Sequence, residues 1–501
     1  MAMLLALDEG TTSCRAIVFG LDGTVHGVAQ APVQQHFPQP GWVEHDACEI
    51  RDRQLHVAQE AMQTAGCLAA DIAGIGITNQ RETTVLWDRR TGKPIHRAIV
   101  WQDRRTADRM ADIAADTDLC SDLCRRTGLQ ADPYFSASKV QWLLDHVDGA
   151  RAAADAGHLA FGTIECWLLW CLAGGRVHAT DASNASRTLL YNIHEGCWDA
   201  ELLRLFEIPE SVLPEVVSSW GDFGTASVDG LNGCLAGIAV RGMIGDQQSA
   251  LLGQGAVHVG DAKTTYGTGC FLLLNTGDTP VASNNGLLTT IAWQSPTRGT
   301  TYALEGSVFM GGATVQWLRD GLQLINDAPQ VNVLAGSVPD SGGVILVPAF
   351  AGLGAPHWNA DARGGILGLT RGSTDAHVAR AALDGIACSV HDLLEAMKQD
   401  AHVTLRALRV DGGAAASDLL MQMQADLCNV PVLRPHMLET TAFGAAMAAA
   451  LGAGLLDDPE SVADHCEIDC TFEPNHDAES VQQQLTRWRR AVQRCRSLDE
   501  D

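Results

Sequence analysis

A short hydroxyl-rich turn near the start of the chain has the residue types that bind phosphate. Residues 4–19 read Leu-Leu-Ala-Leu-Asp-Glu-Gly-Thr-Thr-Ser-Cys-Arg-Ala-Ile-Val-Phe, two apolar runs around a glycine-containing turn. This pattern predicts a β-hairpin, whose tip would present backbone N–H groups and hydroxyls to phosphate oxygens. Asp8 before the turn suits a magnesium ion, and Arg15 after it suits a phosphate. On its own, Gly-Thr-Thr-Ser is more typical of an ordinary polar turn.

Four further segments bring together polar side chains that an ordinary loop does not need. They are Gln80-Arg81-Glu82, Trp101-Gln102-Asp103-Arg104-Arg105, Pro133-Tyr134-Phe135-Ser136 and Gly245-Asp246-Gln247-Gln248. An arginine next to a glutamate offers hydrogen-bond donors and acceptors together, which suits a polyhydroxyl substrate. Structural explanations stay open: the Arg–Glu pair as a surface ion pair, the aromatic residues as core, and Asp246 as a helix N-cap.

Strand-like and helix-like runs alternate along the chain, which indicates an α/β protein. The sequence predicts strands at Leu4–Leu7, Ala16–Phe19, Thr24–Val28, Ile72–Ile77 and Leu405–Val410. It predicts helices at Ser138–His146, Ile164–Leu172, Ser417–Cys428 and Thr440–Leu451. These elements must carry the polar segments to a common place.

Two glycine-containing turns in the second half extend the pattern. Residues 262–274 read as strand, Gly-Thr turn and strand, like residues 4–19 about half a chain earlier. We infer two domains of similar plan, each opening with a phosphate-binding turn; chance is the alternative in a chain with 50 glycines. Asp411-Gly412-Gly413-Ala414 joins a strand to a helix, where glycines let a ligand approach the backbone closely.

The composition excludes several classes of function. The formal net charge of −26 argues against nucleic acid as a partner, because phosphate backbones need a basic surface. No apolar run reaches roughly 18 residues, so we expect no membrane span, and residues 1–7 resemble a strand more than a signal peptide. The 15 cysteines complete no zinc-binding set, which is typical of reduced cysteines in the cytoplasm. The motifs of Walker-type NTPases, Rossmann dinucleotide sites and protein kinases are absent.

Taken together, the motifs resemble the FGGY family of carbohydrate kinases, and within it the members that phosphorylate glycerol. The matching segments are Asp8–Arg15, Asn79–Thr83, Ile99–Thr106, Tyr134–Lys139 with Trp142, Gly245–Gln248, Tyr266–Phe271, Gln316–Asp320 and Asp411–Ala414. Most are weak alone, but their order and spacing over nearly the whole chain are highly specific. The resemblance implies an α/β fold of two ribonuclease-H-like domains, as in actin and hexokinase, around a central cleft. We expect an N-terminal domain at residues 1–250, with the glycerol site and phosphate loop, and a C-terminal domain at residues 251–501, with the adenosine site.

The resemblance also implies a reaction, in which ATP and glycerol give sn-glycerol 3-phosphate and ADP with Mg²⁺ as cofactor. Its implied setting is the cytoplasm, in a homodimer or homotetramer. The implied catalytic residues are Asp246 as base, Arg15 beside the transferring phosphate, and Asp8, which with Asp246 would hold Mg²⁺. The implied glycerol-binding residues are Arg81, Glu82, Trp101, Tyr134, Asp246, Gln247 and Phe271. The implied nucleotide-binding residues are Thr11, Thr12, Ser13, Arg15, Thr268, Gly312, Gln316, Gly413 and Ser417.

Some positions depart from the family's usual pattern. Glu9 stands where glutamine is common and would add a negative charge beside the phosphate turn. Ser136-Ala-Ser-Lys139 replaces the commoner Ser-Gly-Thr-Lys, a packing change. Ser417 stands where many relatives have an asparagine near the adenine, which puts that contact in doubt. Gly237 lies where some bacterial relatives carry an arginine that binds a sugar-bisphosphate inhibitor, so we do not expect that control here.

Two alternatives stay open. Another polyol or sugar could be the acceptor, although the Arg–Glu pair and the Trp-Gln-Asp-Arg-Arg segment favour glycerol. A nucleotide-switched chaperone or filament protein of the same fold would need no acceptor substrate. Four residues would then share no purpose, namely Arg81, Glu82, Tyr134 and Asp246.

Overall fold

A five-stranded mixed sheet, here called the N-terminal sheet, forms the centre of the first half. The computed structural model describes residues 2–227, 233–359 and 361–496. In spatial order the strands of this sheet are Val240–Gly245, Ile72–Asn79, Met3–Glu9, Ser13–Gly20 and Val25–Pro32. The first three strands in this order run parallel, and the last two continue antiparallel from the central strand. The predicted hairpin around Gly10-Thr11-Thr12-Ser13, here called the first phosphate turn, is therefore confirmed.

A seven-stranded sheet, here called the C-terminal sheet, repeats this plan. In spatial order its strands are Leu288–Ser295, Gly299–Val308, Cys270–Gly277, Ala262–Tyr266, Leu408–Asp411, Val432–Pro435 and Ile468–Phe472. Its five inner strands, from Gly299–Val308 to Val432–Pro435, form two antiparallel pairs and then two parallel pairs. The strands of the N-terminal sheet pair in the same way when they are read from Val25–Pro32 to Val240–Gly245. The predicted second strand-turn-strand opening is confirmed, and the two halves share one sheet topology.

Helices and short strands fill in around the two sheets. The α-helices of the described residues are Ala47–Ala65, Ala107–Ala115, Thr117–Thr127, Ser136–His146, Ala150–Asp155, Ile164–Leu172, Ala182–Ala185, Ala200–Leu205, Asp246–Gly253, Gly312–Asp320, Gln330–Gly336, Asp375–Ala401, Asp418–Cys428, Thr440–Gly452 and Ala478–Arg496. The shorter strands are Gln35–His36, Glu44–His45, Val85–Asp88, Lys93–Pro94, Ala98–Ile99, Leu159–Gly162, Ala179–Asp181, Tyr191–Asn192, Cys197–Trp198, Glu215–Val217, Ile345–Val347 and Gly365–Leu367. Short 3₁₀ helices lie at Ala69–Asp71, Glu210–Val212, Gly413–Ala416 and Pro459–His465.

The helix Thr440–Gly452, here called the interlobe helix, joins the two halves. In sequence it lies between the last two strands of the C-terminal sheet, but it packs against four strands of the N-terminal sheet. Gly444 allows a close approach to the neighbouring helix Asp246–Gly253, because a Cβ there would lie 1.8 Å from the backbone oxygen of Ser249. Phe443 packs edge-on against Phe19, with ring centroids 5.5 Å apart. One apolar core therefore includes side chains from both sheets and this helix.

The predicted elements are found with small shifts at their ends. All four predicted helices form, and the helix expected from Ser417 begins at Asp418. The strand expected at residues 24–28 continues to Pro32, because it pairs with residues 13–19 of the preceding strand. The strand expected at residues 405–410 begins only at Leu408. Among the described residues, no helix combines the length and apolar character needed to cross a membrane.

Candidate active site

Three strands of the N-terminal sheet end at one edge, which brings predicted site residues together. The strands that end in Glu9, Asn79 and Gly245 run parallel to one another. Arg81 follows the second of these strands and Asp246 follows the third, and Nε of Arg81 lies 3.0 Å from Oδ1 of Asp246. The carboxyl edge of parallel strands is where open α/β sheets bind ligands.

Asp246 is the first residue of a helix and not its cap. Gly245 is the N-cap of the helix Asp246–Gly253, so the alternative explanation of Asp246 as an N-cap is wrong. Its Oδ1 accepts a hydrogen bond from the backbone N–H of Gln247 at 2.7 Å. The Asp246 side chain keeps 31% of its surface exposed, which leaves the carboxylate accessible to a small ligand.

Two arginines and two glutamates form a buried network, here called the charge quartet: Arg81, Glu82, Arg187 and Glu305. Arg81 donates from both Nη atoms to the Glu305 carboxylate, at 2.6 and 2.8 Å. Arg187 donates to Oε1 of Glu82 at 2.7 Å and to Oε1 of Glu305 at 3.2 Å. None of the four residues is more than 3% exposed. The alternative that Arg81 and Glu82 form a surface ion pair is therefore wrong.

The electrostatics of the charge quartet favour ionised Glu305. Burial by itself would raise the pKa of Glu305, but the guanidinium groups of Arg187 and Arg81 outweigh burial and hold that pKa at about 2. For Glu82, burial outweighs the same two arginines and raises the pKa. Glu305 is thus the carboxylate on which both arginines converge.

Glu82 also has an unusual backbone. Its φ is +65°, a left-handed conformation that side chains other than glycine rarely adopt. Its carbonyl oxygen accepts hydrogen bonds from the hydroxyls of Ser136 at 2.9 Å and Thr84 at 3.0 Å. Such conformations persist where the surroundings over-determine them, and they cluster at functional sites.

Trp101 and Tyr134 form an aromatic corner beside the charge quartet. Their ring centroids lie 5.4 Å apart in an edge-to-face arrangement, and both residues are half-buried, whereas Phe135 is in the core. Lys139 donates to the backbone oxygens of Tyr134 at 2.6 Å and Phe135 at 3.2 Å. The indole N–H of Trp101 donates to Oγ1 of Thr11 at 2.9 Å, which ties the corner to the first phosphate turn.

The C-terminal sheet contributes Lys263 and Phe271 from a single face. Phe271 pairs with Thr265, and Glu305 and Lys263 both pair with Leu273, so strand alternation places all of these side chains on one face. Nζ of Lys263 donates to Oε1 of Gln247 and, at 2.9 Å, to the Thr265 hydroxyl. Burial lowers the pKa of Lys263 to about 8.

Asp8 lies at the end of the central strand among other carboxylates. Burial raises the pKa of Asp8 to about 7; Arg15 lowers it, and the carboxylates of Asp246 and Glu439 raise it further. This excess of negative charge is the environment that a divalent cation neutralises. Oxygen ligands from one or two carboxylates are also what Mg²⁺ takes from a protein, so Asp8 and Asp246 fit that ion.

Arg15 and the Asp411–Ala414 turn meet at the start of the interlobe helix. Arg15 pairs with Glu439, and the hydroxyl of Thr440 donates to Oδ2 of Asp411. Gln254 also donates to this oxygen, at 2.8 Å. The interlobe helix thus begins between Arg15 of the N-terminal sheet and the Asp411–Ala414 turn, in contact with residues from both halves.

The second Gly-Thr turn is held by the start of a helix. The backbone N–H groups of Gly311 and Gly312 donate to the carbonyl oxygens of Thr268 and Gly267, each at 2.8 Å. The side chains of Thr268 and Gln316 are exposed. The turn is therefore fixed through its backbone while its side chains stay available to a ligand.

The Asp411–Ala414 turn contains two adjacent glycines, of which one is closely packed against the protein and the other is open. Gly412 has a φ of +84°, and a Cβ there would lie 2.6 Å from the backbone oxygen of Tyr266. A Cβ on Gly413 would meet no protein atom within 4 Å. Ser417 accepts a hydrogen bond from the N–H of Leu420 at 3.1 Å and so caps the helix Asp418–Cys428. The turn presents an open glycine next to a capped helix start.

Comparisons with known proteins agree with this architecture. Residues 3–253 match the N-terminal domain of the FGGY family of carbohydrate kinases, and residues 262–453 match its C-terminal domain. The chain belongs to the FGGY family of carbohydrate kinases. It is 56% identical to a protein named glycerol kinase from Dechloromonas aromatica (strain RCB), over 98% of this chain and 97% of the relative. It is 57% identical to the glycerol kinase of Aromatoleum aromaticum, over 99% of both chains.

Solved structures of FGGY kinases have the same fold. The crystal structure of Plasmodium falciparum glycerol kinase with ADP superposes with a TM-score of 0.93 at 35% identity, covering 99% of this chain and 98% of that one. The ligand-bound xylulose kinase from Lactobacillus acidophilus superposes with a TM-score of 0.89 over 100% of this chain and 99% of that chain, at only 21% identity. The second likeness shows the fold alone, the expected pair of ribonuclease-H-like domains.

Glu9 differs from the expectation that it adds charge to the phosphate turn. Strand alternation places Asp8 on the face towards the interlobe helix and Glu9 on the opposite face, where it is fully buried. Nε2 of Gln80 donates to both Glu9 oxygens, at 3.0 and 3.1 Å. Burial raises the pKa of Glu9 well above its usual value. The departure from the family pattern is thus a change behind the turn, not on its surface.

Sequence reasoning missed several residues of the site, which are Arg187, Lys263, Glu305 and Glu439. A signal existed for two of them. Glu305 is the single charged residue of the strand Gly299–Val308, and Lys263 is one of only four lysines in the chain and lies in a strand. A lone charge in an apolar strand indicates a buried partner. Arg187 and Glu439 carry no comparable signal.

Proposed function

We propose that this protein is an ATP-dependent glycerol kinase, which gives sn-glycerol 3-phosphate and ADP in the first step of glycerol breakdown. The observation that carries the proposal is 56–57% identity, over nearly the full length of both chains, to proteins named glycerol kinase. The likeness to a solved glycerol kinase that holds ADP supports the nucleotide. The site geometry adds a physical reason, because it combines the charge quartet with the aromatic corner.

The acceptor site in this proposal is built by Arg81, Glu82, Asp246 and the aromatic corner, with Gln247 beside Asp246 and Phe271 from the C-terminal sheet. A triol as small as glycerol needs several hydrogen bonds to fix its orientation. Glu82 uses Oε1 for Arg187, and no hydrogen bond to its Oε2 is formed by the described residues. That oxygen can accept from a glycerol hydroxyl, while Trp101 and Phe271 enclose the carbon chain.

Phosphoryl transfer in this site needs alignment and charge neutralisation more than covalent help. A terminal glycerol oxygen forms the new bond to the γ-phosphorus, and the bond from that phosphorus to the β,γ-bridging oxygen breaks. Asp246 accepts the proton of the attacking hydroxyl. Arg15 and the turn residues Thr11, Thr12 and Ser13 would offset charge on the transferring group. When bound, Mg²⁺ supplies further neutralisation of phosphate charge from Asp8 and Asp246.

The nucleotide in this proposal lies against the C-terminal sheet. Thr268, Gly312 and Gln316 would contact the phosphates, and the open glycine Gly413 with Ser417 would lie beside the adenosine. The corresponding domains are residues 1–250 for the acceptor and 251–501 for the adenosine. Closing the two over both substrates would exclude water and suppress wasteful hydrolysis of ATP.

The proposed setting is a homodimer or homotetramer in the cytoplasm, where ATP is available. All 15 cysteines are free thiols, which suits a reducing compartment. Sedimentation equilibrium measures the assembly directly, and a monomer at working concentration would contradict that part of the proposal.

The decisive experiment measures ADP release with and without glycerol, using a coupled assay and a panel of polyols and sugars. We expect glycerol to stimulate ATP turnover by orders of magnitude and to outrun every other acceptor. A pentulose that outran glycerol would reassign the acceptor. Slow ATP hydrolysis indifferent to all polyols would instead favour the nucleotide-switched protein.

A further inference from the structure

Glu305 is the residue that links the proposed acceptor site to the opposite half of the molecule. It lies on the strand Gly299–Val308 of the C-terminal sheet, whereas both arginines that it binds come from the N-terminal half. The Glu305 side chain has no exposed surface. It is therefore not placed to contact substrate in solvent, and any influence on the reaction must pass through the arginines.

The orientation of the Arg81 guanidinium group depends on which acceptors its five N–H donors bind. Glu305 takes Nη1 and Nη2 in a bidentate pair, and Nε remains for Asp246 at 3.0 Å. Gln248 also accepts from Nη1, at 3.0 Å. A bidentate carboxylate fixes both the plane and the direction of a guanidinium group. Without Glu305, the two Nη atoms would be free to turn towards the Asp246 carboxylate.

Arg187 extends the same arrangement to the aromatic corner. Its guanidinium carbon lies 5.7 Å from the ring centroid of Tyr134 and 5.3 Å from that of Phe135. Its only hydrogen-bond partners among the described residues are the carboxylates of Glu82 and Glu305, and its buried Nη1 has none. Glu305 thus holds the group that in turn contacts Glu82 and Tyr134.

We propose that Glu305 is a positioning residue for the phosphoryl acceptor: it fixes Arg81 directly and Glu82 and Tyr134 through Arg187. The inference rests on the proposed acceptor site. The charge quartet has two positive and two negative members, so removal of one carboxylate leaves an unbalanced buried cation. The released arginines would then compete for Glu82 and Asp246, the carboxylates that the acceptor needs.

The test compares Glu305→Gln, which keeps the shape and removes the charge, with Glu305→Asp, which keeps the charge and shortens its reach. Glu165→Gln is the matched control, because Glu165 is also fully buried and accepts from two hydroxyls, those of Thr163 and Thr180, each at 2.6 Å. Glycerol KM, ATP KM and kcat are measured for each variant at saturating co-substrate, with circular dichroism as the check on folding.

We expect Glu305→Gln to raise the glycerol KM about 100-fold and the ATP KM by less than about threefold, since a lost bidentate charge pair weakens one site and not the other. Glu305→Asp should recover part of the glycerol KM, and Glu165→Gln should leave both KM values near those of the natural protein. A merely structural role for Glu305 would lower the amount of folded enzyme, and hence kcat, without this split.

The outcomes separate the two proposals. A folded Glu305→Gln variant with an unchanged glycerol KM, or with both KM values raised equally, overturns the positioning role. If Glu305→Gln does not fold, an unchanged glycerol KM in Glu305→Asp overturns it as well. If the natural protein does not phosphorylate glycerol, the proposed function is wrong, and the same variants are assayed with its preferred acceptor. A raised KM for that acceptor would still support the role of Glu305.

Discussion

The proposed acceptor site and the proposed nucleotide site differ in how they would bind their ligands. The proposed acceptor site contains buried ion pairs, with Arg81, Arg187 and Glu305 all nearly inaccessible to solvent. The proposed nucleotide site contains glycine turns whose backbone is held by neighbouring N–H groups, with the side chains of Thr268 and Gln316 exposed. The first site holds its charged side chains in fixed positions before any ligand binds, and the second leaves backbone groups of glycine turns accessible to a ligand.

The difference follows from what each ligand brings. A neutral triol carries no charge that could orient it, so the protein must supply fixed donors and acceptors, and burial makes their positions rigid. A nucleotide brings its own charges and a flat base, for which backbone N–H groups, hydroxyls and close approach at glycine are sufficient. Substitutions at four places in the chain would break or sharpen this contrast.

The largest effect is expected on the acceptor side, at Asp246. Asp246→Asn should lower kcat about 10²–10⁴-fold, the usual contribution of a general base, because an amide cannot accept the proton of the hydroxyl. Glycerol binding should stay measurable, since the amide oxygen can still face Arg81. Steady-state kinetics and calorimetric titration with glycerol test both points. Near-normal turnover would remove Asp246 from the role of base, and Asp222→Asn, at an exposed aspartate, is the control.

Adjacent glycines test the nucleotide side. Gly412→Ala should lower the free energy of unfolding by about 1–3 kcal/mol, because its φ of +84° and the 2.6 Å approach to Tyr266 leave no room for a Cβ. Gly413→Ala should leave stability within about 0.5 kcal/mol and raise the ATP KM, because only a ligand would meet the new methyl group. Urea unfolding and ATP kinetics separate the two. An unchanged ATP KM in Gly413→Ala would place the nucleotide elsewhere.

The pH dependence of magnesium use tests Asp8. With a pKa raised to about 7, Asp8 is mostly protonated at pH 6 and ionised at pH 8. The Mg²⁺ concentration for half-maximal activity should therefore fall about tenfold as pH rises through this range. A raised pKa in the folded state also means that the contribution of Asp8 to stability is lost as pH rises towards 7.

Asp8→Asn should remove this pH dependence. Without metal, the variant should also melt higher than the natural protein at pH 8, because it buries no charge. Thermal melts at the two pH values and a Mg²⁺ titration measure both effects. Glu165→Gln is the control, because burial also raises the pKa of Glu165 to about 7, and its carboxylate accepts from the hydroxyls of Thr163 and Thr180, which have no part in the proposed site. A Mg²⁺ requirement that ignores pH in the natural protein would contradict a role for Asp8 in holding the metal.

The smallest effect is expected at Ser417. Ser417→Ala should cost about 1 kcal/mol of stability, because the helix Asp418–Cys428 loses its N-cap. Ser417→Asn keeps a residue that caps helices well, so stability should be unchanged. The added amide should lower the ATP KM about twofold to tenfold, the contribution expected from one hydrogen bond. Melting temperature and ATP kinetics are the measurements. A raised ATP KM in Ser417→Asn would mean that the longer side chain obstructs the nucleotide.

Much of the fold could be predicted because its signals are local. The hairpin around Gly10, the helices at residues 164–172 and 440–452 and the repeat of the Gly-Thr turn all follow from periodicity and turn residues. The ends of elements were less predictable, as at Leu408, because pairing with a neighbouring strand decides where a strand begins. The burial of Glu9 behind the turn also depends on alternation and on Gln80, which family comparison of single positions does not reveal.

By itself, the sequence determined the family, the two strand-turn-strand openings and the order of the polar segments, because these are properties of neighbouring residues. Only the tertiary structure decided which charges meet. Arg81 and Glu305 are 224 positions apart in the chain. They pair because folding brings the strand Gly299–Val308 of the C-terminal sheet against the residues that follow the strand Ile72–Asn79 of the N-terminal sheet. In the sequence, a long-range pair of this kind is visible only as a single charged residue in a strand. Which residue it pairs with is decided by the tertiary fold.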